Sequence, residues 1–350
     1  MARGKMRILV MRPGALGDVL LTLPALQALS AAYPHASIEL MGNPAVLEWL
    51  PGRSVVHAVS SFDRADLAAL FQDTALPAAA LQEYLDSFDL IVSYATAPDH
   101  VLARNLLRLA RGRVLLLDAR HPPGHMHMSV YLQQPLRQLE IVADGGNPSL
   151  HLTLADHQEA VHWWQAQGLQ DAPAVAIHPG SGSPAKNWPA ERFAAVASHL
   201  RRKLGARVLL LSGSADAAAV ANVRQCMNDL RSAAPAAGSP LPLEHDPILL
   251  RELPLPLLAA ILSRCQVYVG NDSGISHLAA VLGSPTVTIF GPTDPDLWAP
   301  RGPAVRVVRA ATPCAPCTRS RRQECPERVC LEDVSVAMVM EALVTLTAHE

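Results

Sequence analysis

Several stretches of this sequence place glycines, small hydroxyl residues and a charged side chain directly after a run of strand-forming residues. That arrangement lets backbone amides face a phosphate. In Arg12-Pro13-Gly14-Ala15-Leu16-Gly17-Asp18 the glycines, Gly17 included, permit a tight turn and close approach of a ligand, and Asp18 stands at the start of a helix. Position alone leaves two readings of Asp18 open: a carboxylate capping the unpaired N–H groups of that helix, or a general base. Further on, His178-Pro179-Gly180-Ser181-Gly182-Ser183 leads into Lys186-Asn187-Trp188-Pro189. Of 29 basic residues only three, Lys5, Lys186 and Lys203, are lysines. Lys186 is either a solvated loop residue or a point charge for a phosphate, while Trp188-Pro189 anchors the loop. In Val269-Gly270-Asn271-Asp272-Ser273-Gly274-Ile275-Ser276-His277 a strand passes through a polar loop into a helix. The amides around Ser273 and Gly274, aided by the helix dipole, suit a diphosphate; the plain alternative is a capped helix with His277 packed against it. Asp272 would repel phosphate, so it orders the loop or meets a sugar hydroxyl. Thr293, in Phe290-Gly291-Pro292-Thr293-Asp294, is a second sugar-hydroxyl candidate or part of an ordinary turn.

Four of the six cysteines, Cys314, Cys317, Cys325 and Cys330, fall within one short segment. Their spacing can close a structural tetrahedral zinc or iron site; a redox pair and unligated thiols are the alternatives.

The elements that must position these residues follow the hydrophobic periodicity. Strands are expected at 6–11, 37–41, 55–60, 90–94 and 114–118, with helices at 18–32, 99–110 and 129–143. A second series places strands at 175–178, 208–211, 267–269, 286–290 and 305–308, with helices at 190–204, 215–228, 255–263 and 274–282. Alternating β and α elements argue for an α/β protein with mostly parallel sheets. At 350 residues the chain exceeds the size of one core, so two domains are expected, 1–160 and 161–350, with a final helix at 334–347 packing back across them. The Ala-, Pro- and Ser-rich stretch 232–242 reads as a surface loop. Open α/β domains bind ligands at the C-terminal ends of their strands, so the motifs are expected to meet in a cleft.

Composition narrows the function. Half the residues are hydrophobic, 17% are charged and the net charge is −2, which argues against a nucleic-acid partner. Every apolar run is broken well before the length of a transmembrane helix, and residues 1–11 lack a secretory pattern, so a cytoplasmic enzyme is expected.

Taken together, Gly14 to Leu26, His178 to Pro189, Gly270 to Ala280 and Phe290 to Asp294 resemble, in order and approximate spacing, the motifs of the ADP-heptose:lipopolysaccharide heptosyltransferases, glycosyltransferase family 9. The resemblance covers nearly the whole chain. It implies the GT-B architecture, two Rossmann-like domains facing a central cleft: the first binds the acceptor, the second the nucleotide-sugar donor. It also implies inverting transfer of heptose from ADP-heptose to a lipopolysaccharide inner-core sugar, peripheral to the inner membrane, with no cofactor required for catalysis. By the same resemblance Asp18 is the base; Ser181, Lys186, Asp272, Ser273, Gly274, His277 and Thr293 bind the donor; Gly17 and Arg120 meet the acceptor. Related protein heptosyltransferases bind iron through similar cysteines. Transfer to a protein acceptor and sugar-nucleotide epimerisation are the alternative activities. Leu253-Pro254-Leu255-Pro256 departs from the family where the donor base usually rests.

Overall fold

A computed structural model describes residues 5–73, 78–120, 124–142, 145–170, 172–213, 215–233 and 246–347. The chain divides into two compact units, Met1–His151 and Leu152–Glu350. The division falls before the helix Leu154–Ala166, which lies wholly in the second unit and which the periodicity does not reveal. Its start is written in a capping box: Thr153 accepts from the Asp156 amide and Asp156 from the Thr153 amide.

In the first unit β1 (Arg7–Met11), β2 (Ser37–Gly42), β3 (Ala58–Ser61), β4 (Leu90–Ser93) and β5 (Arg113–Leu116) form a sheet in the order β3-β2-β1-β4-β5. Every pairing is parallel. The central strands are apolar without alternation because both faces are covered; Ile8, Leu9 and Val10 are fully buried.

The expected helix 18–32 is two helices, Leu16–Leu20 and Leu23–Ala32. Pro24 has no N–H to donate and enters at the first turn of the second helix, so the chain restarts at Thr22. The expected helix 129–143 is likewise a single turn, Met128–Tyr131, followed by a 3-10 segment, Gln134–Leu139, with Pro135 at its start. Residue 143 lies outside the described residues, as does most of the loop expected at 232–242.

In the second unit β6 (Ala174–His178), β7 (Arg207–Ser212), β8 (Ile248–Arg251), β9 (Val267–Asn271), β10 (Thr286–Phe290) and β11 (Val305–Arg309) form a sheet in the order β11-β10-β9-β6-β7-β8, again all parallel. β8 escaped the sequence reading: it is a four-residue edge strand, too short to show a period. Val175 and Ile177, Val208 and Leu210, Val267 and Val269, Val287 and Ile289 are alternate residues of four strands and share one face. The helices Ala190–Leu204 and Val336–Thr347 cover that face with Phe193, Val196, Val339 and Leu343. Each such fully buried side chain contributes about 1.5–3 kcal/mol. The last helix, expected to pack back across both domains, packs on β10, β11 and the helix Ala190–Leu204 of its own unit. Among the described residues no helix is long and apolar enough to cross a membrane.

Candidate active site

In the first unit the loop after β1 holds Asp18 between two donors. Arg12 Nη2 lies 3.0 Å from Asp18 Oδ1, and the Ala15 amide donates to Oδ2 at 3.0 Å. Asp18 is thus the third helical residue, reaching back to the cap position rather than occupying it. Both roles anticipated for it remain chemically compatible, because one carboxylate caps the helix and its side chain stays 33% exposed. Gly14 makes this fit. Its φ is +152°, and a Cβ there would lie 2.7 Å from Asp18 Oδ2.

Arg12 was not singled out by its sequence position, yet it is buried (5% exposed) and organises the loop. Its Nε donates to Thr22 Oγ1 at 3.2 Å and its Nη1 to the Pro13 carbonyl at 3.3 Å, while the Thr22 hydroxyl donates to the Asp18 carbonyl. Burial lowers its pKa from the ordinary value, and the charge of Asp18, with a smaller contribution from Tyr94 and the Asp18 hydrogen bond, opposes that shift.

Gly17 is the second residue of the helix Leu16–Leu20. Arg120 follows β5 and is exposed, with its Nε and Nη2 on the two oxygens of Asp118. The other arginines of this region are also tied locally, Arg104 to Asp73, Arg111 to Asp86, Arg108 to Asn105 and Arg113 to the Gln138 carbonyl.

In the second unit β10, β9 and β6 are neighbours, so the loops at their C-terminal ends meet. Asp272 is the joint. Its Oδ2 accepts from Lys186 Nζ at 3.1 Å and from the Thr293 hydroxyl at 2.7 Å. Asp272 thereby ties Lys186 and Thr293 to the beginning of the helix Gly274–Val281. Ser273 caps that helix, its Oγ accepting from the Ser276 amide at 3.3 Å, with Gly274 as the first helical residue. His277 is buried one turn on.

Ser181 is bonded within its own loop, to the Ser183 carbonyl at 2.6 Å and Asn187 Oδ1 at 2.7 Å. Asn271 is a fastener that the sequence did not announce: its Nδ2 donates to the carbonyls of Pro179 and Gly180, and its Oδ1 accepts from the Trp188 amide. Trp188 anchors the loop as expected, buried edge-on against Phe193 with its Nε1 on the Val334 carbonyl.

The four clustered cysteines line one cavity of about 190 Å³ together with Arg321, Arg322 and Arg328. They are free thiols, and among the described residues no group of three or more His, Cys, Asp or Glu side chains is arranged to hold a metal ion. The structural zinc or iron expected from their spacing is therefore not supported. Burial pushes the Cys330 thiol up to about 11, and Cys317, Cys314 and Cys325 add to the shift.

Two all-parallel α/β units match the GT-B fold. The chain belongs to glycosyltransferase family 9 (heptosyltransferase), whose sequence model matches residues 117–327. It is 26% identical over 332 residues to lipopolysaccharide heptosyltransferase 2 of Salmonella typhimurium, spanning 88% of this chain and 89% of that protein. In fold it is similar to a family 9 glycosyl transferase from Veillonella parvula, with a TM-score of 0.76 at 22% identity over 100% of this chain and 99% of that one. The ADP-heptose lipopolysaccharide heptosyltransferase II of Escherichia coli gives a TM-score of 0.68 at 21% identity, covering 98% and 99%. Membership makes the chain a glycosyltransferase rather than an epimerase.

Proposed function

We propose that the chain transfers heptose from ADP-heptose to a sugar hydroxyl of the lipopolysaccharide inner core, with inversion at the anomeric carbon, in the cytoplasm at the membrane surface. The observation that carries this reading is the placement of Lys186 against Asp272 beside the amino end of the helix Gly274–Val281. A diphosphate at that end meets an ammonium, unpaired amides and the helix dipole at once. The Salmonella relative, named for lipopolysaccharide and aligned over most of both chains, supports the acceptor class.

In this reading the second unit holds the donor through Lys186, Ser273, Gly274 and the amides near Ser181, with Asp272, His277 and Thr293 shaping the loop and meeting sugar hydroxyls. The first unit supplies the acceptor contacts and the base. Asp18 takes the proton of the acceptor hydroxyl as its oxygen attacks the anomeric carbon. The bond from that carbon to the β-phosphate oxygen breaks, and ADP leaves with the electron pair while Lys186 and the loop amides stabilise its charge. The Gly17 amide lies next to the base in sequence. Arg120 has N–H groups beyond the two that Asp118 takes and offers them to an acceptor anion.

Turnover of ADP-heptose with truncated lipopolysaccharide acceptors, read as ADP release and a gain of one heptose in acceptor mass, tests the proposal. Loss of transfer in Asp18→Asn with donor binding intact supports the base. Undiminished transfer in that variant removes Asp18 from the chemistry, and absence of transfer to every lipopolysaccharide acceptor, with transfer to a protein, replaces the acceptor class.

A further inference from the structure

His178 and Asp216 carry none of the roles assigned above, yet both are titratable, both are buried (3% and 9% exposed) and they stand in line behind Ser273. His178 Nε2 lies 3.0 Å from Asp216 Oδ2, and His178 Nδ1 lies 3.2 Å from Ser273 Oγ. Asp216 Oδ2 also accepts from the Gly213 amide at 3.2 Å. The carboxylate is packed against the loop after β6 so closely that a Cβ on Gly180 would come within 2.0 Å of its Oδ1. Burial pulls the Asp216 pKa upward, but the hydrogen bond with His178 and those of the Gly213 and Ser181 amides outweigh it and leave the pKa below its ordinary value.

A carboxylate only accepts hydrogen bonds, so the proton on this side of the ring belongs to Nε2. In the neutral ring a proton there leaves Nδ1 as an acceptor, and the Ser273 hydroxyl stands within reach of it. With its proton directed to His178, the Ser273 oxygen turns its lone pairs to the Ser276 amide that it caps at 3.3 Å. Ser276 closes the arrangement: its hydroxyl donates to the Asn271 carbonyl at 2.5 Å and lies 3.0 Å from the Tyr268 hydroxyl. Hydrogen bonds thus run without a break from Asp216, which follows β7, to the start of the helix Gly274–Val281, and the Ser276 hydroxyl, 3.2 Å from Ser273 Oγ, is a second acceptor within reach of the Ser273 proton.

We propose that Asp216 and His178 are positioning residues of the diphosphate loop: the carboxylate selects the ring tautomer, the ring orients the Ser273 hydroxyl, and Ser273 holds the first amides of the helix on the leaving phosphates. This rests on the reading of that loop as the donor's diphosphate site. A neutral amide at 216 that turns its NH₂ toward Nε2 gives up the acceptor of the Gly213 amide, reverses the tautomer and makes Nδ1 a donor to Ser273. Packing volume stays the same while the direction of the chain inverts.

The test is a double-mutant cycle read by calorimetric titration with ADP, using wild type, Asp216→Asn, Ser273→Ala and the double variant. Asp216→Asn is expected to weaken ADP binding about tenfold, the effect of one misdirected buried hydrogen bond, and to change it less than about twofold when Ser273 is already alanine. Long-range proton–nitrogen NMR on histidine-labelled protein is expected to show His178 protonated at Nε2 in wild type and changed in Asp216→Asn. Equal losses in both backgrounds, or no loss, overturn the proposal. If Asp216→Asn does not fold, His178→Gln takes its place in the same cycle. A wild-type protein that does not bind ADP instead refutes the donor site itself, which separates the two failures.

Discussion

Arg12 and Asp18 form an ion pair across the tight turn after β1, with Arg12 Nη2 3.0 Å from Asp18 Oδ1 and the guanidinium side chain only 6% exposed. The pair aims the carboxylate through a cation that is itself held by Thr22 and the Pro13 carbonyl. With Asp18 as the proposed base, replacing Arg12 by Leu is expected to lower kcat about 100-fold with little change in donor KM, the usual consequence of misplacing a reacting group by an ångström. Lysine is not expected to restore it, since one ammonium cannot reproduce three directed N–H contacts. Steady-state kinetics on both variants decide this; a donor-KM effect alone would show that Arg12 serves the other substrate.

Asp18 also belongs to the fold. Asp18→Ala leaves the buried Arg12 guanidinium and the Ala15 amide without their carboxylate, and a loss of about 1–3 kcal/mol of stability is expected. Asp18→Asn retains acceptor oxygen for one of them and is expected to be nearer wild type. Denaturant melts of both variants check the order, and they identify the asparagine as the fair probe of chemistry.

Gly14 has no room for a side chain. Gly14→Ala puts a methyl group against the Asp18 carboxylate and asks an L residue to hold φ near +152°. A destabilisation of about 1–3 kcal/mol, with transfer reduced along with it, is the expected outcome in thermal melts and activity assays. An alanine variant of wild-type stability would mean that the turn is built differently.

Lys186 and Asp272 form an ion pair beside the start of the helix Gly274–Val281, the loop proposed to hold the donor. Lys186→Gln is expected to raise donor KM at least about tenfold and to flatten its dependence on salt, because the removed interaction is the charge-assisted one. An unchanged salt dependence, followed by initial rates from low to high ionic strength, would take Lys186 off the phosphates.

The cysteines differ in reactivity by environment. Cys265 is pushed up to about 12 and Cys330 to about 11, both chiefly by burial. Thiolates alkylate far faster than thiols, and burial disfavours the thiolate at both positions. Peptide mapping after brief iodoacetamide treatment is expected to find these two the least modified of the six. Rapid labelling of Cys330 would show that its pocket opens.

The sequence carried the architecture because parallel strands buried on both faces read as unbroken apolar runs, as in Val267–Asn271 and Thr286–Phe290. Short edge elements such as β8, and helices shortened by Pro24 and Pro135, lacked enough residues to show a period. The loops around Lys186 and Asp272 were legible because small residues and a rare lysine follow strands. Asn271, His178 and Asp216 were not recognisable as partners, since their contacts join residues far apart in sequence and follow only from sheet order. The metal expected from cysteine spacing finds no support in the arrangement of the side chains, since among the described residues no group of three or more His, Cys, Asp or Glu is placed to hold one.

Asn271 holds two carbonyls of one loop and an amide beyond it from the end of a neighbouring strand. The three hydrogen bonds that join these loops form without any ligand. The conformational entropy of ordering them is lost during folding rather than on association, which favours a heat of binding with little compensating disorder penalty. Asn271→Ala would shift that penalty onto the binding step, so its weakened affinity would appear in calorimetry as a more unfavourable entropy.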